Sequence, residues 1–222
     1  MKRIQFLAFI AFAAIVMASC GGRNDKRAEI IERLEAGEIP EEVTRAMVDT
    51  QASIVEWRGQ KITGSGHNGV ISVDDGEIYV YDGQLWGADV VIDMTSIVVL
   101  DITEPGSNAR LKGHLESDDF FSVATFPAAD FQIVKFEAIE GSGEGQPNYR
   151  VSGNLTIKGI THSLAFPATI SHGEGLITAT ADFDFDRSLY DVRFGSGRFF
   201  ENLGDNLIND DISIKLNFVA TY

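Results

Sequence analysis

Residues 149–170 read YRVSGNLTIKGITHSLAFPATI. Tyr149, Val151, Gly153, Leu155 and Ile157 alternate with Arg150, Ser152, Asn154, Thr156 and Lys158. A period of two places successive side chains on opposite faces of an extended chain, so one face is apolar and the other polar. Gly159 starts a turn, and Leu164, Phe166, Ala168 and Ile170 take up the same alternation. This stretch predicts two neighbouring strands, each with one face on a core.

The pattern spreads outward in both directions. Upstream, Ser53, Val55 and Trp57 alternate with Ile54, Glu56 and Arg58, and Val70, Ile71 and Val73 form a short apolar run before Asp74-Asp75-Gly76. Ile78 to Tyr81 precedes Asp82-Gly83, and Trp86, Ala88, Val90, Ile92 and Met94 follow at a spacing of two. Asp-Gly between alternating runs is a strong turn signal. Ala129, Phe131, Ile133 and Lys135 continue the alternation. Downstream, Phe183 and Phe185 alternate with Asp182, Asp184 and Asp186, and Ile212, Ile214, Leu216, Phe218, Ala220 and Tyr222 share one face of a final strand. Residues 102–119 are irregular and are expected as loop with about one helical turn. The count is about eight strands and no long helix after residue 48. Closely spaced antiparallel strands form a sandwich or a closed barrel. Eight are enough for a barrel that holds one small ligand.

The first residues have a different texture. Lys2 and Arg3 precede the uncharged apolar run Ile4 to Met17, then Ala18, Ser19 and Cys20. The apolar run is shorter than the roughly 20 residues a spanning helix needs, and the layout is that of a secretory signal. Cys20 is the sole cysteine and is followed by Gly21 and Gly22. Met17-Ala18-Ser19-Cys20 resembles the bacterial lipoprotein box, which implies cleavage before Cys20 and an acylated membrane anchor there. The alternative is an ordinary soluble signal that contains a cysteine. Gly21 stands where some bacteria use Asp for inner-membrane retention, so the expected location is the outer membrane, facing the periplasm. Residues 20–47 are charged, with Ile30, Ile31 and Leu34 spaced like a helix face, and are expected as a helical or flexible spacer.

Without Lys2 and Arg3 the formal charge moves from −15 to −17. That acidity argues against nucleic acid as a partner, since phosphate backbones are held by basic patches. His67, His114, His162 and His172 have no metal-site spacing, and no metal or cofactor is expected. Ser163 adjoins His162, but neighbours on a strand face opposite ways, and no Gly-x-Ser-x-Gly elbow exists. Asp118-Asp119 reads as a loop or cap before Phe120. The chain is therefore expected not to be an enzyme.

The ordered set of pieces resembles the YceI-like family of bacterial envelope proteins. The pieces are Val48-Asp49 with residues 53–57, Ile92-Asp-Met-Thr-Ser-Ile97, Leu111-Lys-Gly-His-Leu-Glu-Ser-Asp-Asp-Phe-Phe121, Val151 to Thr161, Leu164-Ala-Phe-Pro167, and Phe185-Asp-Arg-Ser-Leu-Tyr190. The resemblance covers residues 48–222. It implies an all-β, eight-stranded antiparallel lipocalin-like barrel, and non-catalytic binding of an isoprenoid or similar long apolar lipid. The candidate ligand-binding residues are Trp57, Trp86, Phe131, Phe166, Phe183 and Phe218 for the chain, with Lys158 and Arg187 for a polar headgroup at the mouth. Each has a plainer alternative. The aromatics could fill a dry core, Lys158 could mark a solvated strand end, and Arg187 could be a buried structural ion paired with Asp49 or Asp93. A packed interaction domain without ligand is the competing function.

Overall fold

A computed structural model describes residues 26–222. Cys20 and the expected signal sequence lie outside the described residues. The strands are β1 (Glu29–Ile31), β2 (Thr44–Val48), β3 (Ile54–Gln60), β4 (Gly66–Tyr81), β5 (Gln84–Asp93), β6 (Val98–Val99), β7 (Ala128–Ala138), β8 (Tyr149–Ile157), β9 (Ile160–Gly173), β10 (Leu176–Asp186) and β11 (Asp211–Thr221). Among the described residues one α-helix, α1 (Pro105–Glu116), interrupts them.

β2 and β3 both pair with β11 on one side and β4 on the other, so they make a single stave broken by residues 49–53. From that stave the wall runs through β4, β5, β7, β8, β9, β10 and β11 and back, every contact antiparallel. The result is a closed eight-stranded barrel, which leaves no long open edge. Three hairpins are made by two-residue turns with both residues at positive φ: Asp82-Gly83, Lys158-Gly159 and Glu174-Gly175. That is the type I′ geometry whose twist matches the flanking strands. Inward side chains such as Val55, Val90, Leu164, Phe166 and Phe183 are buried, and Asp182 on β10 faces solvent.

The structure corrects three expectations. Residues 26–47, the described part of the expected spacer, form no helix. They carry β1 and most of β2, and Leu34 is bound to the outside of the barrel, donating its N–H to Ser163 Oγ at 3.0 Å and accepting from Asn154 Nδ2 at 3.0 Å. The partners that hold this stretch, β9 for β1 and β11 for β2, lie far away in sequence.

Asp74-Asp75-Gly76 is not a hairpin turn. β4 continues through it, with a bulge between Val73 and Asp75. At this bend β4 changes partner from β3 to β2, and Gly76 lets Val48 pack close: a Cβ there would come within 2.8 Å of Val48 Cγ2.

Residues 105–116 form a full helix instead of a single turn. Pro105 is at its first turn, and the Glu104 carboxylate accepts from the N–H groups of Gly106 at 2.8 Å and Ser107 at 2.6 Å. Pro-Gly read as a turn is here a helix start.

Candidate functional site

The barrel interior is not solid. It encloses a cavity of about 280 Å³ walled almost entirely by carbon. The alternation in sequence builds it. β3 contributes Val55 and Trp57, β10 contributes Phe183 and Phe185, and β11 contributes every second residue from Ile212 to Phe218. Six of the eight candidate ligand residues meet there: Trp57, Phe131, Phe166, Phe183, Phe218 and Arg187. An apolar space of this size runs against the alternative in which these aromatics only fill a dry core.

The exposed part of the lining lies at one end. Ser65, Gly66 and His67, on and beside the loop between β3 and β4, are exposed, with Gln60 and Lys61 partly so. This rim is the mouth. His67 Nδ1 lies 2.8 Å from Asp101 Oδ2, and the Asn68 N–H donates to Asp101 Oδ1 at 2.9 Å. Burial pushes the Asp101 carboxyl up, but those hydrogen bonds outweigh it and hold it below the ordinary value. Leu111 and Leu115 of α1, with Phe120 and Phe121 after it, also face the cavity. The sequence reading missed them because the helix was not seen. Phe120-Phe121 was the available signal.

Arg187 is 1% exposed. Its Nη1 donates to Val192 O at 2.8 Å and its Nε to Asn209 O at 3.2 Å. Nη2 lies 3.6 Å from Asp210 Oδ1, and neither atom has a hydrogen-bond partner. The guanidinium carbon sits 6.0 Å from the Phe120 ring centre. Burial lowers its pKa, against the pull of Asp210 and Asp186. Asp210 is thus the charge partner, in place of the expected Asp49 or Asp93. Asp49 Oδ1 accepts from Gln51 N and Asp93 Oδ1 from Thr95 N, each within its own turn. Arg187 therefore ties the residue 191–193 loop to the start of β11 while also forming cavity wall.

Two candidates are elsewhere. Trp86 is 44% exposed, on the outside, packed edge-on to Tyr81 at 5.8 Å. Tyr79 pairs with Gly87 but Val80 pairs with Leu85, so Trp86 is the extra residue of a bulge. The bulge shifts the phase of β5, and Leu85 points inward in its place. Lys158 opens the β8–β9 turn at φ 52°. Its Nζ donates to Asp191 O at 2.7 Å, so it braces a loop and does not line the cavity.

Among the described residues, no group of three histidine, cysteine or carboxylate side chains could hold a metal ion. His162 donates to Leu189 O at 3.1 Å, and His172 Nε2 bonds to Tyr149 Oη at 3.1 Å. Ser163 Oγ bonds to Asn154 Oδ1 at 2.5 Å on the outer face. No helix among the described residues is long and apolar enough to cross a membrane.

Residues 47–220 match the YceI-like domain. The chain belongs to the YceI-like family. Among solved structures it is similar to BcnA of Burkholderia cenocepacia, at 23% identity and a TM-score of 0.60, over 78% of this chain and 99% of that one. It is also similar to a polyisoprenoid binding domain from Saccharophagus degradans implicated in plant cell wall breakdown. That match has 15% identity and a TM-score of 0.56, over 79% of this chain and 97% of that one. Both likenesses are of fold. No curated protein sequence matches the chain. The YceI-like match begins after β1 and most of β2, so the N-terminal strand lies outside the family domain.

Proposed function

We propose that this YceI-like protein binds an isoprenoid or similar long apolar lipid inside its barrel, without chemical conversion, and stores or carries it in the bacterial envelope. The observation that carries this reading is the apolar lumen of about 280 Å³, open at the rim around His67. Such a space gains affinity by removing apolar ligand surface from water, at roughly 25 cal/mol per Å² before ordering costs. A water-filled cavity would need polar partners that this wall does not offer. The similarity to a polyisoprenoid binding domain supports the same class of ligand. Arg187, with an Nη2 that has no hydrogen-bond partner, would receive the polar end of the ligand. Acylation at Cys20 would hold the barrel at the outer membrane, facing the periplasm.

The test is native extraction from the source membrane followed by mass spectrometry of bound lipid, then titration of the delipidated protein with isoprenoids. A copurifying long-chain lipid and saturable uptake are expected. Absence of both would leave the packed interaction domain as the better account.

A further inference from the structure

Three phenylalanines reach into the lumen from three staves. Phe131 of β7 stacks on Phe166 of β9, with ring centres 5.8 Å apart and planes at 29°. Phe166 in turn stacks on Phe183 of β10 at 4.0 Å and 13°. The Phe131 ring lies over Gly153, where a Cβ would come within 2.9 Å of Phe131 Cε2. The main cavity lies on one side of this stack. On the other is a second apolar chamber of about 60 Å³, lined by Ile78, Leu85, Ala88 and Ala179 among others. The residues common to both chambers are Val90, Phe131, Phe166, Leu216 and Phe218. They are the partition, and Phe166 stands in the middle of its ring stack.

On the reading that the lumen holds an isoprenoid chain, we infer that this stack is a chain-length stop. A chain entering from the His67 rim fills the main chamber and meets the rings before it reaches the distal one. A longer chain must unstack rings in a close-packed interior, or leave its tail in water. Either outcome discriminates against length by a built-in obstacle and not by better contacts to the short chain. The geometry therefore assigns specificity for chain length to Phe166, supported by Phe131 and Phe183. The distal chamber is left unused by the bound lipid.

The test is a binding series on the delipidated protein with geraniol, farnesol, geranylgeraniol and solanesol presented from cyclodextrin. Affinity should rise along the shorter members and fall by about tenfold or more at solanesol. Phe166→Ala should recover at least that factor for solanesol alone. Phe166→Leu and Phe131→Leu, which keep more of the packing, should recover part of it and serve if the alanine variant does not fold. Ala179→Leu, which narrows only the distal chamber, should leave the whole wild-type series unchanged. Wild-type protein that binds solanesol as tightly as its best shorter ligand, or a selective loss of solanesol in Ala179→Leu, would overturn the stop while leaving lipid binding intact. Failure of every member of the series to bind would instead defeat the lipid-binding reading on which the stop rests.

Discussion

Arg27 donates from Nη2 to Asp186 Oδ2 at 3.1 Å, joining the N-terminal segment to the far end of β10. The same nitrogen lies 3.0 Å from Asp211 Oδ1. Lys26 reaches Asp182 Oδ2 at 2.7 Å, and Arg150 reaches Glu29 at 2.8 Å. The backbone follows these charges. β9 and β10 pair only over Ala168–Gly173 and Leu176–Ala181. Beyond that they part, and the N-terminal strand takes up the difference. Glu29–Ile31 pair with residues 163–165, the Ala28 N–H donates to Asp184 O at 2.8 Å, and the Asp184 N–H donates to Lys26 O at 2.9 Å. A segment outside the family domain thus completes the wall.

Ala28→Pro removes the N–H that bonds Asp184 and should lower unfolding stability by about 2–3 kcal/mol in urea. Arg27→Ala should cost about 1 kcal/mol, because the arginine is 45% exposed and solvent screens much of its pairing. Unchanged urea midpoints in both variants would show that this segment is not part of the cooperative unit.

Asp211 gives a pH prediction. Burial raises its pKa, outweighing Arg27, and the nearby Asp186, Asp184 and Asp210 push the same way. An acid whose pKa is raised in the fold penalises folding wherever it is ionised. The penalty is full above the folded pKa, fades as pH falls through it, and is gone below the ordinary value of 3.8. Asp211→Asn should therefore raise the urea midpoint at neutral pH, and the gain should disappear by about pH 3. A gain that persists there would place its origin in something other than charge.

Arg187→Met removes a buried cation and leaves Asp210, Val192 O and Asn209 O without it. The expected loss is roughly 3 kcal/mol in equilibrium unfolding, at the low end for breaking a buried pair because Asp210 is 28% exposed. A loss below about 1 kcal/mol would make the ion dispensable to the fold.

Cys20→Ser tests the anchor. The variant should move from the membrane fraction to the soluble envelope fraction, and the wild-type N-terminal peptide should carry acyl mass on Cys20. A wild-type N-terminus without lipid would remove the anchor from the proposal.

Much of the barrel was legible because its signal is local. Alternation between Tyr149 and Ile170, and the Phe-Asp alternation of β10, follow from one face meeting a core and the other meeting water. The Asp82-Gly83 and Lys158-Gly159 turns follow from two adjacent positive φ angles. The same local rules failed where a distant partner decided. Asp75-Gly76 has turn chemistry, yet neighbours on both sides keep β4 extended through it. Helix α1 is mostly polar and makes few demands on sequence pattern, so it was hidden by its Pro-Gly start.

The candidate site divides in the same way. Phe131, Phe166, Phe183 and Phe218 could be named from periodicity, since strand phase alone sends them inward. Trp86 could not, because its side depends on a one-residue bulge set by pairing with β4. Nor could the partner of Arg187 be named, because Asp210 comes to it only when β10 and β11 pair out to Asp186 and Asp211. Sequence by itself determined most of the strands after residue 53, most of their inward faces and the apolar character of the lumen, all of which depend on a residue and its near neighbours. Tertiary structure alone decided that the lumen is open at one end and crossed by stacked rings, and that residues 26–31 close its wall. Those features depend on the distances between staves, and a distance between staves is a property of the closed barrel, not of any one strand.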